Sequence, residues 1–164
     1  MIGRRTLLMG VSGLAVAAAW FAGRGNPRAA EPAVFRVGHT DEEWRRLLTP
    51  VQYAILRREG TEPAGSSPLD HEFRPGRYDC VGCAQPLFTG ASKFNSGTGW
   101  PSFWQPLLGA VVTSTDTSLF TSRTAVRCSN CGGHLGHVFA DGPQPTGLRY
   151  CMNGAVLAFH AETA

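Results

Sequence analysis

The sequence has no internal repeat and no low-complexity tract, which excludes repeat arrays and leaves a single domain as the expectation for 164 residues. It also lacks any charge excess outside its N-terminus. The net charge of +3 comes from Arg4, Arg5, Arg24 and Arg28, which no acid offsets within residues 1–30. The remainder holds eleven basic against twelve acidic residues. A body this close to neutral has no basic face for phosphates, so a nucleic-acid partner is not expected. A comfortable membrane-spanning run is missing too. The uncharged stretch over residues 6–23 sits at the lower margin of the ~20 residues a span needs, and it contains several Gly, Ser and Thr.

That stretch has another use. Arg4-Arg5 stands directly ahead of it, giving the charged and apolar regions of an export signal, and the paired arginines suggest the twin-arginine route. Residues 1–30 are expected to be this signal, with a poor cleavage site near Ala29 or Ala30 and a membrane anchor as the alternative. Residues 31–40 are then a linker and residues 41–162 the working domain. The expected location is a bacterial periplasm or the outer face of the cytoplasmic membrane.

Frequent Gly and Pro between short apolar runs favour a β-rich body. Two short helices precede it. Thr40 and Glu43 form a capping box, with Trp44, Leu47 and Leu48 on one face, and Thr49, Pro50 and Gln52 start a second helix that should run to about Glu59 and stop at Gly60. Residues 60–76 read as a loop. "AVVTST" and "LFTS" flank Asp116-Thr117 as a hairpin turn, and "RTAVRC", "GHVFA", "LRYCM" and "AVLAFH" are further strands.

Four of the five cysteines form two C-x-x-C pairs, Cys80/Cys83 and Cys128/Cys131. Two such turns can jointly hold one tetrahedral zinc, with Gly82 and Gly132 supplying the tight backbone. Disulfides or a redox pair are the competing readings. Zinc is favoured, because redox motifs come singly and structural disulfides rarely close such small rings twice. Four thiolates leave no open position, so the metal would be structural.

Cys151 has no second cysteine near it. A lone cysteine is often an inert core residue, but Arg149 and Asn153 stand two residues to either side and share its face in a strand. The guanidinium favours the thiolate, while His134 and His137 offer acids near neutral pH. A thiolate with acid donors suits attack on an electrophilic heteroatom, or acyl transfer.

Residues 41–162 resemble the peptide-methionine (R)-S-oxide reductase family through "LTPVQYAILRREGTEP", "YDCVGC", "PLF", "KFNSGTGWPSF", "CSNCGGHLGHVFADGPQPTGLRYCMNG" and "LAF". The resemblance implies a mainly β, tent-like fold of two antiparallel sheets, a structural zinc on the paired cysteines, and Cys151 as nucleophile. Trp100 would hold the substrate methyl group and Phe139 would form an apolar wall. His134, His137 and Asn153 would orient and polarise the sulfoxide oxygen, Arg149 would hold the thiolate, and Asp141 would orient its loop. The expected partners are oxidised proteins and a thioredoxin-like or small-thiol reductant, with the chain itself a monomer. Many relatives carry a resolving cysteine where this chain has Thr98, which leaves recycling to an external thiol. Two rivals remain at this point. One is a relative of the glutathione-dependent formaldehyde-activating proteins on the same scaffold, and the other is a non-catalytic zinc module.

Overall fold

A computed structural model describes residues 35–118 and 121–163. The expected export signal lies outside them. Two helices open the described chain, and their ends follow from side-chain chemistry. Helix α1 (Asp41–Leu47) starts at Thr40, whose hydroxyl accepts from the Glu43 amide at 3.2 Å while the Glu43 carboxylate accepts from the Thr40 amide at 2.8 Å. Helix α2 (Pro50–Arg58) repeats the device with Thr49 and Gln52. Its stop differs from expectation. The left-handed residue is Glu59, at φ 58°, and Gly60 serves a close approach instead, since a Cβ there would lie 2.9 Å from the Ala54 carbonyl oxygen.

Nine strands follow: β1 (Gly76–Cys80), β2 (Pro86–Thr89), β3 (Lys93–Phe94), β4 (Ser102–Phe103), β5 (Val111–Asp116), β6 (Arg123–Cys128), β7 (His134–Phe139), β8 (Arg149–Met152) and β9 (Leu157–Ala161). They form two sheets, one ordered β2-β1-β9 and the other β3-β4-β8-β7-β6-β5, with every pair antiparallel. This is the mainly β architecture expected. Loop 60–76 carries one 3₁₀ turn, Pro68–His71. Among the described residues no helix is long and apolar enough to cross a membrane.

The core lies where the sheets and α2 meet. Phe88 and Phe103 stack with ring centroids 4.3 Å apart, Tyr78 meets Phe103 edge-on at 5.0 Å, and Leu56, Leu87, Leu135, Met152 and Val156 close the remaining space. Fully burying each such side chain contributes roughly 1.5–3 kcal/mol. This packing fixes the far face of β8 and so holds Cys151 steady on the near one.

The hairpin between β5 and β6 departs from the sequence reading. Asp116 is the last residue of β5, paired with Arg123, and not a turn residue. Its carboxylate accepts from the Ser118 amide at 2.8 Å and from Arg123 at 2.7 Å, so an aspartate that reads as turn chemistry closes the strand from inside. "LFTS" therefore precedes the first paired residue of β6, and part of it lies outside the described residues.

Candidate active site

The two C-x-x-C turns come from different sheets. Cys80 ends β1 and Cys128 ends β6, and each turn brings its second cysteine back beside the first. All four sulfurs lie within 4.8 Å of one another, with Cys80 to Cys131 at 3.8 Å and Cys83 to Cys128 at 3.5 Å. A tetrahedron with metal–sulfur bonds of ~2.3 Å has sulfur–sulfur edges of ~3.8 Å, so this donor set can hold one metal ion. Convergence of both pairs on one point is what a shared ion requires and separate disulfides do not. The residue after each second cysteine is left-handed: Gly132 at φ 69° and, in the first turn, Ala84 at φ 57°. Gly82 plays a different part from the one expected. A Cβ there would come within 3.3 Å of Leu56, so it makes room for α2.

Cys151 sits in the middle of the six-stranded sheet. Register places Ser102 on one side of it and His137 on the other, and directly paired residues share a face. Arg149 and Phe139 form the next pair on that face. The guanidinium stacks 4.5 Å from the Phe139 ring centre and makes two parallel bonds to Asp141, at 2.9 and 2.7 Å. Burial pushes the Cys151 thiol up, opposed by a hydrogen bond from Thr98 and by the charge of Arg149. The sequence argument named the guanidinium alone, and both burial and Thr98 outrank it.

A cavity of about 130 Å³ opens over the sulfur, lined by Trp100, His137, Phe139, Met152, Asn153 and Cys151 among others. That is well below the ~300–1,000 Å³ of a small-molecule or cofactor site, and it suits the end of one side chain. A larger hollow of about 800 Å³ lies along β1 and β9 and contains no cysteine.

These features match a known family. Residues 48–161 match the SelR domain. The chain is 50% identical to a peptide methionine sulfoxide reductase MsrB of Leptospira interrogans, over 78% of this chain and 98% of that one. It is 52% identical to the MsrB of Thiobacillus denitrificans, over 75% and 94% of the two chains. With the MsrB of Methanosarcina barkeri it shares 50% identity, over 77% of this chain and 89% of that one. The chain belongs to the MsrB family of peptide methionine sulfoxide reductases.

Within the site the two histidines part company. Residues three apart on a strand normally face opposite ways, yet the His134 and His137 rings meet with centroids 5.2 Å apart. The alternation breaks at Gly136, φ 157°, beside a β-bulge, and a Cβ there would fall 2.1 Å from the Cys151 carbonyl oxygen. His137 lines the cavity. His134 does not. It is 1% exposed, neither ring nitrogen has a hydrogen-bond partner among the described residues, and burial pushes its imidazole down to about 4.

Two residues of the site were not foreseen. Asp116 accepts from His137 Nε2 at 2.7 Å, which leaves Nδ1 as the ring nitrogen for a substrate. The Asp116 carboxyl lies below the usual carboxylate range, held there by Ser118 first and His137 next. Glu62, also buried, accepts from the Gly154 amide at 2.6 Å and the Ala155 amide at 2.8 Å, and its carbonyl accepts from the Trp100 indole at 3.1 Å. Asn153 completes this brace. Its side-chain oxygen accepts from the Glu62 amide at 2.9 Å and its amide donates to the Leu135 carbonyl at 3.0 Å, so it fixes the cavity wall while facing the cavity.

Proposed function

We propose that this chain reduces the R epimer of methionine sulfoxide in proteins and thereby repairs oxidised methionine. The observation that carries the reading is the row Ser102–Cys151–His137 beneath Trp100: one thiol and one carboxylate-oriented imidazole facing a cavity the size of a side-chain end. The Cys151 thiolate attacks the sulfoxide sulfur while the departing oxygen takes a proton from His137. Oxygen passes to Cys151, which becomes a sulfenic acid as it loses two electrons, and the sulfoxide sulfur gains them to leave as a thioether. Two equivalents of an external thiol, from a small thiol or a thioredoxin-like protein, then release water and restore Cys151.

Trp100 and Phe139 form the apolar walls for the methyl group and side chain, and Arg149, braced by Asp141, keeps positive charge beside the thiolate. His134, buried and neutral, supports the His137 ring edge-on. Asn153 holds the wall that orients the sulfoxide oxygen. Cys80, Cys83, Cys128 and Cys131 hold a structural zinc, which supplies a tether between the two sheets and takes no part in the reaction. The working domain is residues 41–162, a monomer exported behind the paired arginines to the periplasm or the outer face of the membrane. The test is turnover of separated R and S sulfoxide peptides with dithiothreitol. Reduction of R alone is expected, and equal reduction of both epimers, or of neither, overturns the reading.

A further inference from the structure

Thr98 occupies a position more informative than a missing cysteine. Its Oγ1 lies 4.0 Å from Cys151 Sγ and 2.8 Å from Ser96 Oγ, and Ser96 Oγ lies 2.8 Å from Ser102 Oγ. Ser102 is wholly buried on β4, in register with Cys151, and its hydroxyl also lies 3.1 Å from the Trp100 carbonyl. The three hydroxyls therefore form one chain, from a backbone acceptor in the Trp100 loop to the reacting sulfur.

Each hydroxyl has one proton to give, so an unbroken chain from Ser102 to the sulfur can run in only two directions. With a thiolate, which only accepts, Thr98 donates to sulfur, Ser96 donates to Thr98 and Ser102 donates to Ser96. With a thiol, the order reverses, and Ser102 ends the chain on the Trp100 carbonyl. Resting on the reading of Cys151 as nucleophile, we propose that Ser102, Ser96 and Thr98 act as a reversible hydroxyl chain that donates to Cys151 Sγ and selects its thiolate. Thr98 is the catalytic member, and the two serines are positioning residues that aim its proton.

The other groups facing the sulfur have partners of their own. Arg149 on the same strand also favours the thiolate by its charge, while two of its nitrogens are held by Asp141. His137 on β7 is bonded through Nε2 to Asp116, itself paired with Arg123. His134 is buried behind His137, and the Glu62 carboxylate is taken up by the Gly154 and Ala155 amides. The 95–101 loop and β4 bring no charged side chain, and the group they place within reach of Sγ is the Thr98 hydroxyl.

The experiment follows alkylation of Cys151 by iodoacetamide against pH in the full zinc-loaded chain, read at that residue by mass spectrometry, with zinc content confirming the fold. Thr98→Val should raise the midpoint by about one pH unit, leaving roughly tenfold less thiolate on the acid side. Thr98→Ser should restore the original midpoint, and Ser102→Ala should give a smaller rise. A Thr98→Val profile that coincides with the parent, or a Thr98→Ser profile that matches Val, overturns the donor. An unshifted Ser102→Ala overturns the chain behind it. Alkylation needs no turnover, so a parent protein with the expected profile but no reductase activity would sink the function and leave the hydroxyl chain standing.

Discussion

Cys128 and Cys151 belong to the same six-stranded sheet, yet their surroundings have almost nothing in common. Cys128 and its three partners face one another at van der Waals range, under α2 and at the meeting of two sheets. Cys151 faces a hydroxyl, an imidazole and a guanidinium, and stands apart from the four-cysteine cluster. A sulfur surrounded by sulfur and backbone amides can share an ion but has no side-chain acid beside it and no room for a substrate. A sulfur surrounded by hydrogen-bond donors at the floor of a cavity has both. Residue type is the same in the two places, and the neighbours decide the chemistry.

The sharpest way to break this comparison is to exchange the same atom in each region. Cys151→Ser should abolish turnover while zinc content and melting temperature stay at parent values. Cys80→Ser should do the reverse, losing metal and loosening the domain, because the turns join distant segments. Turnover in Cys151→Ser, or undisturbed melting in Cys80→Ser, would erase the distinction.

A second comparison lies between the two histidines. His137→Ala should slow the chemical step by roughly a hundredfold or more, the range for a lost general acid. His134 should show itself in stability instead. Burial lowers its imidazole from 6.5 to about 4. Between those values the unfolded chain takes up a proton that the folded chain refuses. Its contribution is thus fully present above about pH 6.5 and is lost as pH falls toward 4, on the order of 3 kcal/mol at most. In denaturant titrations across this window the parent should lose stability relative to His134→Leu as the pH falls, and parallel curves would contradict the assignment.

The smallest expected effect separates the two cysteine turns themselves. Ala84 holds the left-handed position that glycine holds in the other turn. Ala84→Gly should relieve ~1–2 kcal/mol of backbone strain, partly offset by the entropy of a glycine in the unfolded chain, for a net gain of about 0.5 kcal/mol. Thermal melting of the zinc-loaded protein measures it, and a lower melting temperature would show that Ala84 is not strained.

What could be read in advance was local. The capping boxes at Thr40 and Thr49, each C-x-x-C pair and the shared face of Arg149 and Cys151 each depend on neighbours within a few residues. What could not be read depends on distance along the chain. Asp116 reaches His137 from 21 residues away, and a D-T pair looks like a turn until its strand partner is known. Glu62 braces Gly154 from 92 residues away and carries no local signal beyond a glutamate in a Gly- and Pro-rich loop. The different fates of His134 and His137 turn on one glycine, Gly136, whose missing Cβ lets β7 break its alternation. Thr98 was legible as an absent cysteine, but its role as a donor required the two serines lined up behind it in space.

The central claim is that one sulfur reacts and four do not. A single stoichiometric pulse of (R)-methionine sulfoxide peptide on the reduced, zinc-loaded chain, quenched with dimedone, tests it directly. The account predicts one dimedone adduct on Cys151 and zinc retained at one per chain. A disulfide joining Cys151 to Cys80, Cys83, Cys128 or Cys131, with zinc released, would contradict it.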